Sequence, residues 1–210
     1  MINPLLRIHR SQLHGPPAGR EFFLRDTRTV ARALLGGWFV RRFRGRLYGA
    51  RLMEVEAYLG ARDAAAHTAG GRRTARNEPM YSVGGHLYVY FVYGMHHCAN
   101  LVTGPEGAGE AVLIRAAAAE AAPSGLLRGP AKFCRAFGLD RSHSGLDLIM
   151  HRDFDFYPDP VPRGRIALSP RIGVAYAGAA ADRKLRYYIK HSPAVSGKKP
   201  RRQTTGERAL

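Results

Sequence analysis

The sequence predicts an α+β fold. Stretches of period two and stretches of helical period occur in the same chain, they do not alternate as regular βαβ units, and 210 residues can bury one core without metal or disulfide staples. No internal repeat or linker divides the chain. The expected architecture is a single compact domain, residues 1–196, with a curved, mainly antiparallel sheet and surrounding helices, followed by a basic, flexible tail, residues 197–210.

The first regular element is a helix over residues 26–35: Val30, Ala33 and Leu34 recur at helical spacing, Asp26 suits the N-cap, and Gly36-Gly37 stops it. Trp38-Phe39-Val40 then opens a strand. Over residues 51–59 the chain alternates. Arg51, Met53, Val55, Ala57 and Leu59 fall on one side, and Leu52, Glu54, Glu56 and Tyr58 on the other. One side is expected to join the core while two carboxylates and a phenol face a cleft.

Residues 60–85 have no sustained period and carry Gly70-Gly71, Asn77, Pro79 and Gly84-Gly85, which predicts a long loop with room for one short element. Residues 87–93 are aromatic and β-branched and form a strand ended by Gly94. Residues 111–115 form another, neighbouring the first two in one sheet. Gly129-Pro130 precedes a short helix over residues 131–137, closed by Gly138. Pro158, Pro160 and Pro162 interrupt regular structure before residues 165–168, and residues 184–190 read as a last strand. The tail has almost no large apolar side chains, so it is expected to fray.

Thirty-three Lys and Arg stand against 16 Asp and Glu, a net charge of +17. Such a surface attracts a polyanion, nucleic acid before an anionic membrane. No apolar run reaches the roughly 18 residues of a membrane span, and the N-terminus has no signal-peptide core. A soluble, cytoplasmic protein is expected. Cys98 and Cys134 are far apart and neither sits in a CxxC pair, so both are expected reduced and structural. His67, His86, His96 and His97 fit no HExxH pattern, and no metal is expected.

Glu54 and Glu56 are unusual acids in a strand suited to burial, yet alternation alone equally fits a solvent-facing side ringed by arginines. Tyr58, His67, Tyr81, Tyr88, Tyr90 and Tyr93 suit stacking on a base, and equally suit a core border.

The ordered motifs decide between these. Glu54-Val55-Glu56-Ala57-Tyr58-Leu59-Gly60, then Asp63, Ala65-Ala66-His67 and Gly70-Gly71-Arg72-Arg73-Thr74-Ala75-Arg76-Asn77, then Leu87 through Met95, Cys98 and Asn100, closely resemble the 3-methyladenine/alkyladenine DNA glycosylase family. The similarity runs from about Leu24 to the Lys184 region.

The resemblance implies that Glu56 activates a hydrolytic water, that Tyr58, His67 and Tyr90 enclose a flipped base, and that Asn100 disfavours purines with a guanine amino group. It also implies that Tyr93 enters the gap in the duplex, that Arg115 lies near the active-site water and target phosphate, and that Lys132 contacts a phosphate beside a helix start. Glu54 and Asp63 read as support through geometry or ion pairing. The implied activity is monofunctional excision of an alkylated or deaminated purine from double-stranded DNA. No cofactor, membrane or obligate protein partner is expected, and the location is cytoplasmic, on DNA. Ala131 replaces a usual serine, and Ala99 and His96-His97 also depart from the family pattern. Two alternatives are a non-enzymatic nucleic-acid-binding module and a scaffold that recognises lesions without turnover.

Overall fold

A computed structural model describes residues 2–119 and 127–196. The elements are β1 (Arg7–Ile8), α1 (Arg20–Phe23), α2 (Thr27–Leu34), β2 (Trp38–Phe43), β3 (Arg46–Leu59), β4 (Leu87–Val92), β5 (His96–Thr103), β6 (Glu110–Ala118), α3 (Pro130–Phe137), β7 (Phe154–Tyr157), β8 (Ile166–Ser169) and β9 (Arg186–Ile189). The sheet runs β4-β5-β6-β3-β2-β7, with β1 and β9 also paired to β3, and β8 paired to β9. Every strand pairing among the described residues is antiparallel, and the fold is α+β. The predicted tail lies outside the described residues.

Alternation along β2 divides the apolar residues between two clusters. Phe39 packs edge-on against Phe137 and Phe133 of α3, at 5.1 and 5.3 Å between ring centroids. Trp38 and Val40, on the other face, join Ile8, Leu13 and Tyr157. Val30, Ala31 and Leu34, the apolar stripe of α2, are fully buried in the same cluster as Phe39. The N-cap of α2 is Asp26, whose Oδ1 accepts from the Arg28 and Thr29 amides at 3.1 Å each. Asp26→Ala is expected to cost about 1 kcal/mol and lower the melting temperature by roughly 2–4 °C, measurable by urea and thermal denaturation.

The alternation predicted over residues 51–59 breaks once. Leu52 is fully buried in the main core beside Val55, Ala57 and Leu59, although it falls on the predicted cleft side. The pairing of β3 with β6 is irregular between Leu52 and Val55, so a strict period of two does not carry through. Arg51, on the predicted core side, instead pairs with Asp159 at 2.7 Å.

Other boundaries also differ. Strand β3 begins at Arg46, after a tight turn in which Arg44 and Gly45 both have positive φ. Residues 60–85 carry three short 3-10 segments rather than one element. Strands β5 and β7 lie outside the expected strands, β4 ends at Val92 rather than Tyr93, α3 starts at Pro130, and β9 starts at Arg186.

Candidate active site

Antiparallel register aligns one row of side chains across five strands: Tyr88 of β4 opposite Asn100 of β5, Asn100 opposite Leu113 of β6, Leu113 opposite Glu56 of β3, and Glu56 opposite Arg186 of β9. Residues two positions along share the same face, which adds Tyr90, Cys98, Arg115 and Tyr58. This face floors a cavity of about 340 Å³. His67, from the long loop after β3, and Ile172, Gly173, Val174 and Tyr176, from the segment before β9, complete its walls.

Glu56 is fully buried, and three of its partners line the cavity. Its Oε2 accepts from the Tyr58 hydroxyl at 3.0 Å and from Arg115 Nη1 at 3.3 Å, and its Oε1 accepts from the Ile172 amide at 2.8 Å. Burial raises the carboxyl pKa above its ordinary value, against the opposing pull of Arg115, the Ile172 amide and the Tyr58 hydroxyl. A carboxylate held in this way is a stronger base than one in water.

Arg115 bridges both acids, with Nε 3.1 Å from Glu54 Oε1. Glu54 also pairs with Arg186 at 2.6 Å and accepts from the Ser196 amide and hydroxyl at 2.5 and 2.8 Å. Both its oxygens accept from donors, three at Oε1 and one at Oε2, a geometry that fits ion pairing. Asp63 is likewise engaged, by Arg171 and by the Leu59 and Ala65 amides.

The loop bearing His67 is tied by Asn77, whose amide donates to the His67 and Arg72 carbonyls at 2.8 and 2.9 Å while its oxygen accepts from Thr74. His67 Nδ1 lies 2.8 Å from the Tyr88 hydroxyl, and its ring meets Tyr90 edge-on at 4.6 Å. Burial, and then Arg76 and Arg72, hold the imidazole pKa below its usual value, so the ring is neutral at pH 7. Asn100 is buried in the wall and donates its amide to the Tyr88 carbonyl at 2.9 Å.

Tyr93 occupies the tip of the β4–β5 turn, 86% exposed, with φ of 51° beside Gly94 at 65°. A tyrosine in the left-handed region is strained, and this one presents most of its ring to solvent. Lys132 is exposed in the first turn of α3, and Pro130, which starts that helix, lines the cavity.

Cys98 and Cys134 are buried free thiols, though Cys98 is also a cavity wall. His86 lies 3.8 Å from Asp147, and among the described residues no three potential metal ligands gather. Among the described residues no helix is long and apolar enough to cross a membrane.

Sequence reasoning missed Ile172, Gly173, Val174 and Tyr176, which reach the cavity from more than a hundred positions beyond Glu56 with no motif of their own. It also missed the Tyr58 hydroxyl as a Glu56 partner, although i, i+2 spacing in a strand was a sufficient signal for that contact.

Comparison with known proteins gives this geometry a lineage. A family model of methylpurine-DNA glycosylase matches residues 21–193. A relative from Desulfitobacterium hafniense is 40% identical over 200 residues, covering 86% of this chain and 98% of its own. Another, from Anaeromyxobacter dehalogenans, is 45% identical over 183 residues and 86% of each chain. A third, from Bdellovibrio bacteriovorus, is 41% identical over 191 residues, 85% of this chain and 98% of its own. All three are named as candidate 3-methyladenine DNA glycosylases. With the family match spanning both Glu56 and the Ile172 segment that binds it, the chain belongs to the methylpurine-DNA glycosylase family.

Proposed function

We propose that the protein binds double-stranded DNA, turns an alkylated or deaminated purine into the 340 Å³ cavity, and hydrolyses its N-glycosidic bond to leave an abasic site. The observation that carries this reading is the buried Glu56 carboxylate, its basicity raised by burial, whose partners Tyr58, Arg115 and Ile172 all line one aromatic-walled cavity. Basic surface residues, Lys132 among them, collect the duplex through its phosphates.

In the cavity, Tyr58 and Tyr90 stack the extruded base, Asn100 restricts its edge, and His67 orients it as a neutral imidazole. Glu56, steadied by Arg115, directs a water at C1′. The water oxygen bonds to C1′ as the C1′–N bond breaks, its electron pair leaves with the base, and the water proton passes to Glu56. The same carboxylate stabilises positive charge developing on the sugar. An N-alkylated purine already carries positive charge and departs neutral, whereas hypoxanthine must also gain a proton. Water supplies that proton. Water is the nucleophile, so the reaction ends at the abasic sugar without strand cleavage.

Duplexes each carrying one 3-methyladenine, 7-methylguanine, hypoxanthine or ethenoadenine test this directly, with free base and abasic DNA measured separately. Release of at least one base with intact strands is expected. Release of none by the folded protein would reject the reading.

Tyr93→Ala removes the ring expected to fill the gap left by the departed nucleotide. With stacking worth about 1–3 kcal/mol, affinity for lesion duplex is expected to fall about 5- to 150-fold, and affinity for undamaged duplex far less. Titration of both duplexes measures this, and equal losses on the two would remove Tyr93 from the wedge role.

A further inference from the structure

Arg171 and Asp63 form a fully buried ion pair with a two-pronged geometry, Nη1 to Oδ2 at 2.5 Å and Nη2 to Oδ1 at 2.8 Å. Arg171 Nη1 also donates to the Ala57 carbonyl at 2.9 Å, next to Glu56 in β3, and the guanidinium lies 4.7 Å from the centre of the Tyr58 ring. The next residue, Ile172, supplies the amide bound to Glu56 Oε1. Arg171 Nε is buried with no partner among the described residues.

A buried ion pair is poor material for stability alone, because desolvation of both charges consumes most of the attraction, and apolar residues of equal volume do as well or better. An unsatisfied Nε makes this pair poorer still. What the pair does fix is geometry. It locks one strap residue to the strand that bears Glu56 and to the loop turn at Asp63, and it backs the ring whose hydroxyl holds the other oxygen of the same carboxylate.

We propose that Asp63 and Arg171 are positioning residues for Glu56: their buried fork holds the strap so that the Ile172 amide fixes Oε1 while the Tyr58 hydroxyl fixes Oε2, leaving the carboxylate a single orientation beneath the cavity. The proposal rests on the reading of Glu56 as the base that directs water.

The charges around Glu56 make the effect readable as a pH profile. Glu54 lies on the same strand, Arg115 on β6, and Arg186 on β9 acts through Glu54; Arg171 comes from the strap. Tyr58, Tyr90, Cys98 and Tyr176 also face Glu56, and burial raises the pKa of each, so all four are neutral near pH 7. His67, which also lines the cavity, changes charge on the acid side as well, but no substitution below touches it, so a limb that moves with them reports Glu56. Removing an amide donor or a cation disfavours the carboxylate, which moves that limb to higher pH.

The test is the single-turnover rate of base release from a lesion duplex between about pH 5 and 9, for wild type, Ile172→Pro, Arg171→Met and Arg171→Lys, below the melting temperature of each. Ile172→Pro deletes the amide donor while both charges of the pair remain, so it tests the amide's hold on Glu56, and Arg171→Met tests the pair; where Arg171→Met fails to fold, Arg171→Lys tests the pair in its place. Ile172→Pro and Arg171→Met are both expected to shift the acid limb upward by about one pH unit and to lower the plateau at least roughly tenfold, with lesion-duplex affinity within about threefold of wild type. Arg171→Lys, which keeps the charge and loses the fork, is expected between them and wild type. An Ile172→Pro limb that coincides with wild type overturns the proposal. Glu56→Gln is the control. If it is inactive while the Ile172→Pro limb stays put, the positioning pair alone fails; if it keeps the wild-type rate, the reading of Glu56 fails and the proposal with it.

Discussion

Glu56→Gln is expected to reduce single-turnover base release by at least about 10³-fold while leaving lesion-duplex affinity within a few-fold of wild type. The amide has nearly the carboxylate's shape, so the cavity walls are preserved, but it can neither take a proton from water nor meet positive charge on the sugar. Binding, by contrast, rests on phosphates and on the aromatic walls, which the substitution does not touch. Equal turnover by the variant would reassign the base.

The same substitution separates function from stability. Burial raises the Glu56 pKa in the folded state, so the group favours folding when protonated, below its unfolded value, and that contribution is lost as pH rises through the folded value. At pH 7–8 the ionised carboxylate thus costs the fold something, and an uncharged amide relieves that cost. Against this, one end of the amide must present a donor to a donor, the Ile172 N–H or the Tyr58 and Arg115 pair. The two effects oppose, and the melting temperature is expected to move by no more than about 4 °C. In wild type the corresponding prediction is kinetic: turnover falls as pH drops through the raised Glu56 pKa.

What the sequence disclosed and what it withheld follow from the range of the interactions. Alternation over Glu54, Glu56 and Tyr58 is local, and register carries it across the sheet to Asn100 and Tyr88. The capped helix at Asp26 and the helix bounded by Gly129 and Gly138 are local too. The motif resemblance supplied site assignments that alternation left open. Strand β5 escaped notice because His96-His97 and Ala99-Asn100 lack β-branched residues, and its extended form comes from pairing on both sides with β4 and β6. The irregularity near Met53 was invisible for a similar reason: it is a property of two strands together. Arg171 could not be placed at the site, since Asp63 lies 108 residues away and nothing near Pro170 marks a partner.

Arg115 shows how tightly function and fold are joined at this point. Among the described residues Arg115 is the only cation in direct contact with Glu56, and Arg115→Met would remove it, whereas Glu54 would keep Arg186 and Ser196. The loss therefore falls on Glu56. Breaking a buried pair typically costs about 3–5 kcal/mol, and the survival of the Glu54 contacts places this case near the lower end, a fall of roughly 6–10 °C in melting temperature. A buried carboxylate without its cation responds by taking up a proton, which pushes its pKa further upward. Turnover at pH 7 is expected to fall by about 10²-fold or more and to recover in part as pH is raised toward 9. A variant that loses rate equally at every pH would show that Arg115 acts on the DNA phosphate rather than on the charge of Glu56. Partial recovery in alkali, with the lower melting temperature persisting, would identify the arginine as the group that keeps this base ionised in a cavity whose burial opposes it.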